Sequence, residues 1–376
     1  MEKLLDDRLT KAGTGVIRST SVKNIEPDEK GCLVTLSDQT RVRSKFVIGA
    51  DGSRSFVRNH FKIPFDVIRP EIVWAVIDGV IETDFPKVPE IIVFQTDSSD
   101  VAWIPREGDI DRFYVRIDSK NFNSEEIVEK INRAMKPHVL KFKEIIWSSV
   151  FSVKESVADK FYVHDRIFLA GDACHIHSVN GGQGLNTGLA DAFNLVWKLN
   201  MVLNFGASRN ILKTYESERK PVAQSVIETA GELVRSTKDS PTGTHAKDYV
   251  GIVRKRAGNI TGMGIRYGDQ GPCGSRLFDF ELYVDTHKTR IYTVLDYSKF
   301  TLLVFGDFNL STDIPEFVKM IQIFPLQTQK AYRTDFSLYK HQAILVRPDA
   351  YIESYTPVET IDSLFKLTDD LLCTKP

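Results

Sequence analysis

Hydrophobic positions along the chain change period several times, and each change marks an element. Leu4, Leu5 and Leu9 fall on one side of a helix over residues 2–12 that Gly13 and Gly15 close. Val16 to Ile25 and Cys32 to Leu36 alternate like strands. The turn Ser37-Asp38 leads on to Thr40–Arg43, so a small antiparallel meander is predicted. Phe46 to Ile48 form a short buried strand. Gly49, Asp51 and Gly52 end it, and Ser53 to Phe61 begin a helix. Residues 65–118 alternate with period two and are rich in β-branched and aromatic residues, which predicts antiparallel strands with one buried face. Ser124, followed by two glutamates, starts a helix to about Met135 that closes near Pro137, and Lys143 to Val153 add a strand.

The stretch from Arg166 to Leu203 organises the rest. Ile167 to Ala170 form a second short buried strand, and Gly171-Asp172 ends it. Glycines at 181, 182, 184 and 188 follow. Then Leu189, Phe193, Val196, Leu199 and Leu203 recur at spacings of three and four, one face of a helix expected to pack inward. Two strand ends, each carrying an aspartate, can sit side by side in one parallel sheet. Glycines let backbone approach a ligand, a helix N-terminus offers unpaired N–H groups, and a carboxylate at a strand's carboxyl end can accept from a sugar hydroxyl. The same residues also allow a plain strand-to-helix turn, with Asp51 capping the helix after it.

Further on, Ile211 to Gly231 read as helical with Pro221 near a helix start, and residues 236–275 read as a loop-rich linker. Residues 300–306 form a buried strand, Ile314 to Phe324 a helix, and residues 341–352 a strand with a turn.

Composition narrows the class. The chain has 376 residues, enough for two or three domains, with 42% hydrophobic and 26% charged residues, as in an ordinary globular protein. A net charge of −1 gives no bulk attraction for nucleic acid. No apolar run is long enough for a membrane span, and the first residues lack the apolar core of a signal peptide. The four cysteines stand far apart with no CxxC, which fits a reducing, cytoplasmic setting without dithiol chemistry. Cys174, His175 and His177 are awkwardly placed for one metal ion, so no metal site is expected. A Rossmann dehydrogenase is disfavoured because no G-x-G-x-x-G occurs.

The pair VIGADGSRSFVRNHFKIPF and RIFLAGDACHIHSVNGGQGLNTGLADAFNLVWKL resembles the "DG" and "GD" motifs of FAD-dependent aromatic hydroxylases of the phenol hydroxylase type. Ser217 to Val222, the IPREGDIDRFYVRID segment, and the FTLLVFG and LVRPDAYI strands are also similar to that family. The resemblance implies an α/β plus α+β architecture. An incomplete FAD/NAD(P)-binding domain of the glutathione-reductase-like kind would comprise residues 1–64 and 159–235. A β-rich substrate domain (65–158) would be inserted in it, with a linker (236–275) and a thioredoxin-like domain (276–376) after it.

By that resemblance NADPH reduces FAD, O₂ adds to give a flavin hydroperoxide, and a small phenolic substrate is hydroxylated. Asp172 matches the carboxylate on the ribityl or ribose region of FAD. Gly182, Gly184, Leu185 and Asn186 match the loop facing the pyrimidine edge of the isoalloxazine. Asp51 matches the aspartate linked to both FAD and NADPH. Tyr114 and Arg106 match positions facing substrate and flavin, with Arg112 nearby, although a core tyrosine and a turn arginine would look the same. Family members often dimerise, so a homodimer is compatible with the resemblance; neither nucleic acid nor membrane is expected as a partner.

The chain departs from the family pattern in two places. Roughly the first 110 residues of that pattern, with the glycine fingerprint, are expected to be missing. His177-Ser178-Val179-Asn180 also lacks the family's usual proline. A second expectation therefore stands beside the first: a truncated, non-catalytic homologue with weak or no FAD binding, acting as an interaction or dimerisation module.

Overall fold

The computed structural model describes residues 2–95, 100–117, 123–177, 183–238, 246–268, 271–308, 313–335 and 339–364. Four sheets carry the architecture. The predicted meander is present as Val22–Asp28, Gly31–Leu36 and Arg41–Ser44, paired antiparallel in sequence order. Residues 16–21 stand outside it, and Val16 and Ile17 are exposed. The helix Glu2–Lys11 forms as predicted but buries no side chain.

Val47–Gly49 pairs in parallel with Ile167–Leu169, which the short strand Tyr162–Val163 flanks antiparallel. All three residues of Ile167–Leu169 are buried, as their unbroken apolar run requires. Gly49 sits where a Cβ would come 2.7 Å from the Val57 Cβ, so only glycine lets the helix Phe56–His60 lie this close to the strand.

Two strands of 19 residues, Phe65–Thr83 and Leu140–Ala158, form a long antiparallel ribbon at the centre of a six-stranded sheet. Ile110–Ile117, Asp100–Pro105 and Ile92–Gln95 extend it on one side and His175–Ile176 on the other. In Ile110–Ile117 burial alternates residue by residue. Phe113, Val115 and Ile117 join Ala75, Ile77 and Trp103 in a core covered by the helix Ser124–Met135. Asn123, one residue before the predicted start, caps that helix by accepting from the Glu126 N–H at 2.8 Å.

The last sheet has seven strands. Phe300–Phe305, buried at every position, pairs in parallel with Val318–Pro325 and antiparallel with Gln342–Val346. Residues 314–324, expected as a helix, therefore contain a strand: Val318, Ile321 and Ile323 are buried beside an apolar partner, and that packing outweighs the helical spacing.

Three other expectations change. Pro221 lies inside the helix Asn210–Lys238, not near its start; Ile211, Leu212, Tyr215, Ala223, Ile227 and Ala230 bury around it and carry the helix through the proline. The 236–275 segment contains the helices Ala246–Lys255 and Ala257–Thr261 as well as loop. The helix Gly184–Asn204 also turns a different face inward. Its buried positions are Thr187, Asp191, Asn194, Leu195, Trp197, Lys198, Leu199 and Met201. Leu189, Phe193, Val196 and Leu203, which the spacing assigned to the core, are 41–54% exposed. Polar residues fill the buried stripe because distant charges satisfy them.

Candidate cofactor site and substrate face

Parallel pairing brings the two aspartate turns together. The Ala170 N–H donates to the Gly49 carbonyl at 3.0 Å, so Asp51 and Asp172 leave the carboxyl ends of adjacent strands. That is where open α/β sheets hold ligands. Arg58, buried, ties the turns to each other: Nη1 donates to the Ala173 carbonyl and Nη2 to the Ser53 carbonyl, both at 2.8 Å. Its guanidinium lies 3.8 Å from the centre of the Phe65 ring, linking both turns to the start of the ribbon.

Asp51 is exposed; its Oδ2 accepts from the Val57 N–H at 3.0 Å, so it does support the helix behind it. Asp172 is exposed in the short 3₁₀ turn Gly171–Ala173, and its carboxylate has no hydrogen-bond partner among the described residues. The helix Gly184–Asn204 begins at Gln183 with no side-chain cap, so the N–H groups of Gly184, Leu185 and Asn186 have no partner among the described residues. Leu185 and Asn186 are exposed. Gly171 has φ +60, and a Cβ on Gly188 would lie 3.3 Å from the Gly171 Cα, so this turn and helix meet backbone to backbone. Gly182 lies outside the described residues. A free carboxylate beside an uncapped helix start suits the sugar-alcohol chain and polar edge of a flavin.

Asp191 holds this arrangement from below. Its Oδ2 meets the His175 Nε2 at 2.6 Å and accepts from the Gly171 N–H at 3.2 Å; its Oδ1 accepts from the Arg219 Nε at 2.7 Å. Burial alone would raise its pKa, but His175 and Arg219 hold it below the ordinary carboxylate range. Cys174, His175 and Asp191 cluster closely enough to suggest a metal site. The Arg219 cation already occupies Asp191, and burial pushes the Cys174 thiol well up, away from the thiolate a metal would need. The cluster reads as an internal ion-pair network.

A second set of polar residues lies on the ribbon sheet, on the face opposite its core. Asp78, 4% exposed, stands directly across from Arg112 and Trp147. It accepts two bonds from Arg112, Nε to Oδ1 and Nη2 to Oδ2, both at 2.7 Å, and one from the Arg106 Nη1 at 2.9 Å. The Arg112 and Arg106 bonds hold its carboxyl below the usual range. Tyr114 pairs with Val76 on the same face, and its hydroxyl lies 3.5 Å from the Arg112 Nη1. Arg106 and Tyr114 are therefore brought together through Arg112 and Asp78.

Asp78, Asp191 and Arg219 were not singled out from sequence, and His175 was weighed only as a metal ligand. Asp78 did carry a signal: it is a carboxylate in the middle of the otherwise apolar run VWAVIDGVI. Asp191 carried none, since an acidic residue in a helix usually faces water.

The model of the FAD binding domain matches residues 1–230. The chain belongs to that family. Among similar proteins, a phenol 2-monooxygenase of Aspergillus fumigatus is 36% identical over 217 residues, 54% of this chain and 37% of that enzyme. A 3-hydroxybenzoate 4-monooxygenase of Comamonas testosteroni is 33% identical over 252 residues, 60% of this chain and 39% of that enzyme. The chain thus spans well under half the length of these two relatives. The structure of anhydrotetracycline hydroxylase from Streptomyces rimosus matches with a TM-score of 0.78 and 25% identity, covering 100% of this chain and 79% of that one. The kinship with FAD-dependent aromatic hydroxylases, drawn above from the two aspartate motifs, is borne out. No helix among the described residues is long and apolar enough to cross a membrane.

Proposed function

We propose that the chain forms the isoalloxazine side of an FAD- and NADPH-dependent monooxygenase that hydroxylates a phenolic ring with O₂. The observation that carries this reading is the parallel pairing of Val47–Gly49 with Ile167–Leu169, which sets Asp51 and Asp172 at neighbouring strand ends. Asp172 accepts from ribityl or ribose hydroxyls. The N–H groups of Gly184, Leu185 and Asn186 would hold the pyrimidine edge, where the helix N-terminus favours negative charge, and Gly182, outside the described residues, is assigned to the same loop by the family motif. Asp51 serves FAD and NADPH. The bound flavin supplies the reduction and oxygen chemistry.

Tyr114 and Arg106 orient the phenol on the ribbon sheet. The single bond from Arg106 to Asp78 and its 39% exposed side chain leave it able to reach a substrate, while Arg112 stays locked by two. Residues 1–64 with 159–235 act as the flavin domain and 65–158 as the substrate domain. Residues 276–376 take a thioredoxin-like fold, supported by one parallel and two antiparallel pairings around Phe300–Phe305 and Gln342–Val346. A cytoplasmic homodimer is the assembly we favour by analogy with the family.

The test is reconstitution. Purified chain mixed with FAD should retain flavin through gel filtration, with absorbance near roughly 450 nm, and should oxidise NADPH faster when a phenol is added. Flavin eluting wholly free of protein would overturn the reading and leave the non-catalytic alternative, which has no observation of its own in its favour.

A further inference from the structure

We propose that a cavity of about 560 Å³ beside the first half of the helix Gly184–Asn204 binds a planar aromatic carboxylate, at a site separate from the sheet face that carries Tyr114. Among the described residues, none of its walls comes from 65–158. Its size is that of a pocket for a small organic ligand. Leu189 and Phe193 line it, which accounts for their exposure: on this stretch the outward apolar face of the helix is the wall of a cavity. Ile260, Ile265 and Tyr351 close the other sides.

The charges of the cavity select an anion. Three charged residues line it, Arg219, Asp349 and Arg276. Arg219 is neutralised by Asp191 at 2.7 Å, and Asp349 by Arg347 at 2.7 Å. Arg276 has no carboxylate partner among the described residues, and its buried Nε has no hydrogen-bond partner. Among the described residues one guanidinium therefore remains without a carboxylate, and its fork geometry matches a carboxylate ligand.

The walls select a flat ring. The Arg276 guanidinium lies 5.5 Å from the Tyr351 ring centre, and Tyr351 packs against Tyr267 with centroids 4.3 Å apart. A planar ligand extends this stack while its acid group meets Arg276. A phosphate is a poorer fit, because a single cation free of a carboxylate partner among largely apolar walls cannot match a dianion. The inference does not depend on flavin being bound.

Isothermal titration of the full chain with 2-naphthoate and with neutral 2-naphthamide tests it. We expect naphthoate to bind about tenfold more tightly, the effect of a charge-assisted pair. Arg276→Gln should abolish that preference while leaving naphthamide binding unchanged, Arg276→Lys should restore part of it, and Phe193→Ala should weaken both ligands. Equal binding of the two ligands overturns the proposal, as does a preference that survives Arg276→Gln or is lost in Arg106→Gln instead. A readout on unaltered protein stands beside these. Light-driven labelling by a diazirine-bearing naphthoate should map to residues 183–193 or 257–265, and labelling confined to 65–158 overturns the assignment.

Discussion

Arg347 grips Glu218 with both arms of its guanidinium, Nη1 to Oε1 and Nη2 to Oε2, each at 2.9 Å. The pair locks the end of the strand Gln342–Val346 onto the helix Asn210–Lys238. Lys198 and Asn194 donate to the same Glu218 Oε2 at 2.8 and 2.6 Å, so the 184–204 helix is fastened by the same carboxylate.

This cluster gives the protein an acid-sensitive joint. Burial alone would raise the Glu218 pKa, but Arg347 and Lys198 hold it at about 2, against 4.5 unperturbed. A depressed carboxyl stabilises the fold above its unfolded pKa, and that stability is lost as pH falls from about 4.5 towards 2. The shift corresponds to about 3 kcal/mol. Glu218→Gln should cost about 3–5 kcal/mol at pH 7, because buried cations lose their partner. Urea midpoints from pH 7 to 3 should show the gap to wild type closing at the acid end; a constant gap would contradict the assignment.

Asp191→Ala should be as costly, about 3–5 kcal/mol, since it leaves Arg219 buried without its carboxylate and frees the turn at Gly171. The turn can be followed through Cys174, which is fully buried and whose thiol is pushed well up by burial. In wild type a thiol reagent should reach the half-buried Cys273 before Cys174, which should react only on unfolding. In Asp191→Ala, Cys174 should react under native conditions.

Asp172→Ala should do the reverse. The carboxylate is exposed and partnerless among the described residues, so thermal stability should stay within about 0.5 kcal/mol of wild type. Flavin affinity, read from fluorescence quenching on titration, should fall about tenfold with the loss of a charge-assisted bond.

Gly49→Ala places a methyl group 2.7 Å from the Val57 Cβ and 3.0 Å from the Leu169 Cδ2. Overpacking here should cost about 1–3 kcal/mol in denaturant unfolding and push the helix Phe56–His60 away from the strand.

Val196→Gln separates the face expected from sequence from the one found. The spacing of apolar residues places Val196 in the core; the structure leaves it 54% exposed, so the substitution should change stability by less than about 0.5 kcal/mol. The two aspartate strands, the meander and the 124–135 helix were legible because each is announced locally: by a short apolar run stopped by Gly and Asp, by alternation, or by an N-terminal polar cap. The inward face of the 184–204 helix was not. Asp191, Asn194 and Lys198 are buried because Arg219, Glu218 and Asp349 meet them, and a hydrophobic period cannot register a charge satisfied from so far along the chain. Residues 318–325 and Pro221 went astray similarly, through neighbours absent from the local window.

The long ribbon has a mechanical consequence. Two strands of 19 residues, roughly 60 Å when extended, are hydrogen-bonded almost end to end, with Arg58 and the strand His175–Ile176 anchoring one end. Such a pair resists stretching but yields to torsion, most easily where its register slips, and one slip falls between Asp78 and Gly79. A Cβ on Gly79 would run into the Glu144 carbonyl oxygen and stand 2.7 Å from the Phe142 ring, so only glycine fits the slip at this point. The ribbon's register slips at four places among the described residues, and the slip beside Asp78 lies at the residue that gathers Arg106 and Arg112. A twist of a few degrees at that point would carry Arg106 and Arg112 with Asp78, and Tyr114 beside them.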